Sequence, residues 1–69
     1  MRGVLEKIDP AELYGLIDAG ESLPYYFKAD DVDGGIEAFK KLHVGEPVTF
    51  DDAGEVMFGG KAIRAENVQ

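Results

Sequence analysis

Two short stretches decide the fold: Tyr14-Gly15-Leu16-Ile17 and Tyr25-Tyr26-Phe27-Lys28. Both are rich in aromatic and aliphatic residues, which is typical of strands in small β proteins. Successive side chains of a strand point to opposite faces of the sheet, so Tyr25 and Phe27 face one way and Tyr26 and Lys28 the other. Because only the second pair carries a charge, the pattern predicts that Tyr26 and Lys28 lie outside.

Further short apolar runs lie on either side of these stretches. The whole set is Val4-Leu5 with Ile8, Leu16-Ile17, Tyr25-Tyr26-Phe27, Val48-Thr49-Phe50, Val56-Met57-Phe58 and Ala62-Ile63. Turn signals separate them at Asp9-Pro10, Asp18-Ala19-Gly20, Asp33-Gly34-Gly35, Asp52-Ala53-Gly54 and Gly59-Gly60. Short runs with frequent turns predict an all-β sandwich or barrel. With no repeat, linker or low-complexity tract, residues 1–69 are expected to form a single domain.

Two segments carry helix signals. Asp9-Pro10-Ala11-Glu12 has the N-cap, proline and glutamate of a helix start, and Gly20 could end such a helix. Gly15 would lie inside it at a cost of about 1 kcal/mol relative to alanine, so strand is the preferred interpretation and helix the alternative. After Gly34-Gly35, apolar residues recur at helical spacing, which predicts a short helix or turn over residues 36–43.

The first strand needs an irregularity. Simple alternation puts Lys7 on the same face as Leu5, although the two cannot both belong to the core. A β-bulge would resolve the conflict, because one extra residue shifts the alternation.

The order and spacing of these fragments resemble a cold-shock domain along the whole chain. From Gly3 to Ile17 the chain aligns without a gap to the family pattern G-x-V-K-W-F-N-x-x-K-G-F/Y-G-F-I, and the second family motif, V-F-V-H-F, falls on residues 25–29. The resemblance implies a closed, small five-stranded antiparallel OB-type barrel, with the helical turn at 36–43 in its long loop. It also implies single-stranded RNA or DNA as the ligand, stacked on exposed aromatic side chains, and no cofactor.

The binding residues of the family are only partly present. Tyr14 and Tyr26 keep exposed aromatics, Lys28 replaces a histidine, Phe39 matches the loop aromatic of G-F-K-x-L, and Lys61 lies near the basic residue of the last loop. The resemblance therefore implies a nucleic-acid site of Tyr14, Tyr26, Lys28 and Phe39, supported by Lys7 and Lys61. Phe39 has an alternative role, since with Ile36 and Leu42 it forms an apolar helical stripe typical of a core.

Several departures from the family pattern predict weak, salt-sensitive binding. Lys7, Leu16 and Ala29 stand where the family has aromatic rings, and Glu6 and Glu12 stand where it has lysines. Stacking contributes about 1–3 kcal/mol per base, so three missing rings remove roughly 3–9 kcal/mol if the terms add. That corresponds to a loss of affinity of about a hundredfold to a millionfold.

The overall charge leaves a second function open. Fourteen acidic and seven basic side chains give a formal net charge of −7, whereas phosphate binding draws on clustered lysine and arginine. The alternative is an acidic protein-interaction module that kept the barrel, lost nucleic-acid binding and recognises a basic protein partner. An acidic mimic of nucleic acid has the same support from charge. Lysines around Tyr14 and Tyr26 would favour strand binding, and carboxylates around them a protein partner.

Other classes of function have little support. The chain has no cysteine, one histidine (His43) and one serine (Ser22), so we expect no enzyme and no thiolate metal site. The acidic run at residues 30–34 fails the EF-hand template, because Ala29 and Lys40 occupy its first and last ligand positions. No stretch resembles a signal peptide or a membrane span. We therefore expect a cytoplasmic monomer without a cofactor.

Overall fold

Six strands and one short helix follow one another in the computed structural model, which describes all residues from 1 to 69. The strands are β1 (Arg2–Asp9), β2 (Tyr14–Asp18), β3 (Tyr25–Lys28), β4 (Pro47–Thr49), β5 (Asp51–Met57) and β6 (Ala62–Glu66). A 3-10 turn (Ala29–Asp31) and the helix α1 (Gly35–Phe39) lie between β3 and β4. The prediction of an all-β domain is confirmed, and so is the short helix near residue 36, although it ends at Phe39 instead of continuing to His43.

All six strands belong to one mixed sheet with the order β4-β1-β2-β3-β6-β5. Every neighbouring pair is antiparallel except β3 and β6, which run parallel. The prediction of five antiparallel strands in a closed barrel is therefore wrong. The five-strand count came from the family resemblance, whereas each of the six apolar runs supplies residues to one strand.

Phe50 is the single residue between β4 and β5. Its side chain is buried. The strands on its two sides have different partners, because β4 pairs with β1 and β5 pairs with β6. Backbone hydrogen bonds hold this crossing: Thr49 and Gln69 exchange two, of 2.8 and 2.9 Å, and Phe50 N donates to Met1 O at 2.9 Å. The chain thus passes from one edge of the sheet to the other at a single residue, and no ladder joins β4 to β5.

The predicted irregularity of β1 is confirmed. Leu5 pairs with Ile17 and Lys7 with Leu16, so Glu6 is the extra residue of a bulge. The bulge lets Leu5 enter the core at 1% exposure while Lys7 faces solvent two residues later.

The predicted alternation of β3 is confirmed as well. Tyr25 and Phe27 are buried, whereas Tyr26 is half-buried and Lys28 exposed on the opposite face. Gly15 on β2 lies against Phe27: a Cβ at this position would come within 2.6 Å of Phe27 Cζ and 2.9 Å of the Lys7 carbonyl oxygen. A side chain there would push β2 away from the core, which accounts for a glycine beside Tyr14.

The helix signal at Asp9-Pro10-Ala11-Glu12 forms a single turn. Asp9 Oδ1 accepts hydrogen bonds from the backbone N–H groups of Ala11 (3.0 Å) and Glu12 (2.9 Å). Leu13 then takes a left-handed backbone conformation with φ of 60°, which ends the turn and leads the chain into β2. The carboxylate thus caps one turn, and the alternative of a helix up to Gly20 is wrong.

The core lies between the inner face of the sheet and α1. Its largest fully buried side chains are Leu5, Ile17, Tyr25, Phe27, Phe39 and Val68. Tyr25 is the polar member, and its hydroxyl lies 3.1 Å from Glu21 Oε1 and 3.3 Å from Asp52 Oδ2. Burial first, and these carboxylates second, raise the pKa of Tyr25 to about 12.

The buried Tyr25 phenol predicts a loss of stability in alkali. Its pKa is about 12 in the folded protein and 10.0 without the fold, so only the unfolded chain loses the proton between these values. We expect the free energy of unfolding to fall above pH 10, by at most about 1.4 kcal/mol per pH unit up to pH 12. Urea denaturation of the wild type and of Tyr25→Phe at increasing pH measures the effect. An equally steep alkaline loss in Tyr25→Phe would assign it to other groups.

Candidate functional site

An open groove of about 600 Å³ crosses the outer face of β2 and β3. Its lining combines three aromatic rings, three charged side chains and three aliphatic ones: Tyr14, Tyr26, Phe58, Glu12, Lys28, Lys61, Leu16, Pro24 and Ala62. We call it the tyrosine groove. Its volume lies within the range of known ligand pockets, and its mixture of apolar floor and few charged groups is typical of them.

The floor of the tyrosine groove is a contiguous aromatic surface. Tyr14 and Tyr26 lie on neighbouring strands with ring centroids 5.4 Å apart and planes inclined by 29°. Phe58 meets Tyr26 edge-on, with centroids 4.9 Å apart and an angle of 81°. The two tyrosines thus lie side by side on the outer face, where strand alternation predicted Tyr26.

Phe58 is the groove residue that the sequence reasoning missed. It follows β5 in a left-handed conformation with φ of 55°, and Gly59 and Gly60 also have positive φ values. This turn directs the ring toward Tyr26 and leaves 56% of Phe58 exposed. The signal was an aromatic residue directly before two glycines, but the preceding Val56-Met57 suggested a strand residue instead.

The charge next to the rings is mainly positive. Lys28 and Lys61 line the tyrosine groove, and Lys7 Nζ lies 5.4 Å from the centroid of the Tyr14 ring, within cation–π range. The structure therefore brings together five of the six predicted site residues. Glu12 is the one acidic residue in the lining, and Glu6 is not part of it.

Two groups next to the groove have shifted pKa values. Interaction with the Tyr14 phenol, by hydrogen bonding first and by charge second, raises the pKa of Lys7 above its ordinary value. Burial, followed by the charge of Tyr14, raises the pKa of Tyr26. At neutral pH the groove therefore presents an ammonium group over one phenol and a second phenol that is neutral.

Arg64 lies beside Tyr26 in the β3–β6 ladder but is already engaged. Its Nη2 donates to Asp31 Oδ1 at 2.7 Å, and its Nη1 lies 3.5 Å from Glu55 Oε1. Hydrogen bonding and charge interaction with Asp31 raise the pKa of Arg64. Asp31 is buried and also accepts a hydrogen bond from the Lys28 backbone N–H at 3.0 Å, so it fixes β6 to the end of β3.

The prediction that Phe39 presents a ring to a ligand is wrong. Phe39 is 1% exposed and packs against Phe27, with ring centroids 6.2 Å apart at an angle of 66°. The apolar stripe of α1 decides its position, because Phe39 is the residue of this helix that points into the core. Its alternative role as a core residue is the correct one.

Comparison of the sequence with protein-family models and with curated proteins finds no match. None of the helices has the length and apolar composition that a membrane crossing requires. No three histidine or carboxylate side chains come together in a way that could hold a metal ion. The functional interpretation therefore rests on the geometry of the tyrosine groove.

Proposed function

We propose that this chain is a divergent cold-shock-like module that binds single-stranded RNA or DNA in the tyrosine groove. The observation that carries the proposal is a contiguous aromatic surface of two half-buried tyrosines, Tyr14 and Tyr26, and the exposed Phe58, with lysines beside it. A single strand presents the flat apolar faces of its unstacked bases and the phosphates of its backbone. The aromatic rings suit the bases, and the lysines suit the phosphates.

The aromatic surface supports stacking of more than one base. Base–aromatic stacking contributes about 1–3 kcal/mol per base and tolerates every base, because each has a π face. Tyr14 and Tyr26 match two of the stacking aromatics of the cold-shock family. Phe58 adds a third ring, which the resemblance to the family did not imply. Leu16 lines the groove without a ring, in agreement with binding weaker than the family pattern implies.

The local charge supports a polyanionic ligand despite the net charge of −7. Lys7, Lys28 and Lys61 lie at the groove and take part in neither ion pair of the molecule. Arg64, which lies beside Tyr26, is paired with Asp31 and Glu55. Backbone phosphates of a strand stacked on the rings would approach these ammonium groups. This arrangement favours strand binding over the rival function, an acidic module for a basic protein, which needs carboxylates around the tyrosines.

The position of the groove in the sheet also supports the proposal. OB-folds are partly open Greek-key barrels that bind oligonucleotides on the face of strands 2 and 3 and on two adjoining loops. If β4 and β5 are counted as one strand interrupted at Phe50, the strand order of this sheet is similar to that design, which supports the proposal. The groove lies on β2 and β3, Glu12 comes from the β1–β2 turn, and Phe58 and Lys61 come from the turn before β6.

A salt titration tests the proposal. We expect a fluorescently labelled short oligothymidine to bind weakly in low salt, with log K falling against log salt at a slope of about −2, because each of three lysine–phosphate contacts contributes about −0.7. Lys28→Gln should make the slope shallower by about 0.7, whereas Lys41→Gln, an exposed lysine outside the groove, should leave it unchanged. No binding in low salt, or equal slopes for both variants, would refute the proposal.

A further inference from the structure

Glu12 is a carboxylate without an ion-pair partner in a groove whose other charged lining residues are lysines. Its backbone N–H is tied to Asp9 Oδ1 at 2.9 Å, which holds the turn where its side chain joins the groove lining. Both ion pairs of the molecule belong to Arg64, so neither Lys28 nor Lys61 neutralises Glu12. Glu12 is exposed, so both carboxylate oxygens are open to solvent and remain available to a ligand in the groove.

We propose that Glu12 reads the edge of a base seated on the tyrosines and selects guanine over thymine or uracil; this inference rests on the proposed function. A carboxylate is an acceptor with two oxygens. Guanine presents two neighbouring donors on its Watson–Crick edge, N1–H and the N2 amino group, which fit these oxygens as a bidentate pair. Thymine and uracil present one N3–H between two carbonyl oxygens, and these oxygens repel the carboxylate.

In the groove, binding of any base and recognition of a particular base are assigned to different residues. The rings of Tyr14 and Tyr26 take the faces of bases and are indifferent to their identity. Lys28 and Lys61 suit the phosphates, which are the same for every nucleotide. Glu12 is the one lining residue whose charge makes it an acceptor alone, so it is the group able to distinguish bases by their donors. Adenine and cytosine, with one amino group each on that edge, rank between guanine and thymine.

Four labelled strands test the inference: a short oligothymidine and the same strand with its central thymidine replaced by dG, dA or dC. For the wild type we expect the dG strand to bind about fivefold to tenfold more tightly than the all-thymidine strand. This preference lies in the lower part of the range for one bidentate base contact, because Glu12 is exposed to solvent. Glu12→Gln should reduce this preference to less than about twofold, because the neutral amide no longer repels thymine.

Glu37→Gln is the matched control, since it removes the same charge from an exposed residue of α1 outside the groove and should keep the full preference. A guanine preference that persists in Glu12→Gln would come from stacking and would overturn the inference, as would equal affinities of the wild type for all four strands. Failure of every strand to bind would overturn the proposed function, and the inference with it.

Discussion

Phe39→Ala is expected to lose about 3–5 kcal/mol of unfolding free energy, the usual cost of removing a buried phenylalanine ring from a core. Phe39 is 1% exposed and joins α1 to Phe27 on the inner face of β3. A domain of 69 residues has only about 3–10 kcal/mol of stability in total. The variant should therefore lose a large share of this stability, and the loss is measured by urea denaturation followed by circular dichroism.

Two further variants distinguish a core residue from a binding residue. Ile36→Ala, which shortens a 42% exposed side chain of the same helix, should cost less than about 1 kcal/mol. Phe39→Leu keeps much of the buried volume, so it should stay folded, with lower stability and the oligonucleotide affinity of the wild type. Lost affinity with unchanged stability in Phe39→Leu would return Phe39 to the binding site.

Tyr26→Ala is expected to weaken oligothymidine binding by about tenfold to a hundredfold, from the lost stacking of one base. Tyr26 lies between Tyr14 and Phe58, so its removal also leaves both neighbouring rings without their aromatic contact. Part of its ring is exposed, and the effect on stability should be smaller than that of a core residue. Fluorescence anisotropy with the labelled strand in low salt gives the dissociation constant directly.

Two control variants test whether the loss of affinity is specific to the Tyr26 ring. Tyr26→Phe keeps the ring and should bind within about twofold of the wild type, because stacking does not require the hydroxyl. Val44→Ala trims a 62% exposed apolar side chain outside the groove and should leave affinity unchanged. If Tyr26→Ala binds as well as Val44→Ala, the ligand does not stack on this ring and the tyrosine groove is not its site.

Local patterns were sufficient to predict much of the fold. Alternation along β3 assigned Tyr25 and Tyr26 to opposite faces, and the conflict between Leu5 and Lys7 revealed the bulge in β1. Both features follow from neighbouring residues alone, since the two-residue period of a strand is a property of the backbone. The predicted number of strands was wrong because it came from the family pattern. In the structure, Phe50 separates residues 47–57 into two strands.

The errors in the site arise from contacts between residues distant in the chain. Phe58 reaches Tyr26 only because the turn at Gly59 and Gly60 bends it over β3, and no local pattern contains that information. Arg64 likewise comes beside Tyr26 through the parallel pairing of β3 with β6. For Phe39, the helical stripe gave the correct position and the family motif the wrong one.

The two walls of the tyrosine groove belong to short turns, residues 10–13 and 58–61, while its floor belongs to the sheet. Glu12, Phe58 and Lys61 are the exposed groove residues of these turns, so they can be exchanged with small consequences for folding. Under the proposed function, we expect libraries that randomise Glu12, Phe58 and Lys61 to yield folded variants with an altered ligand preference.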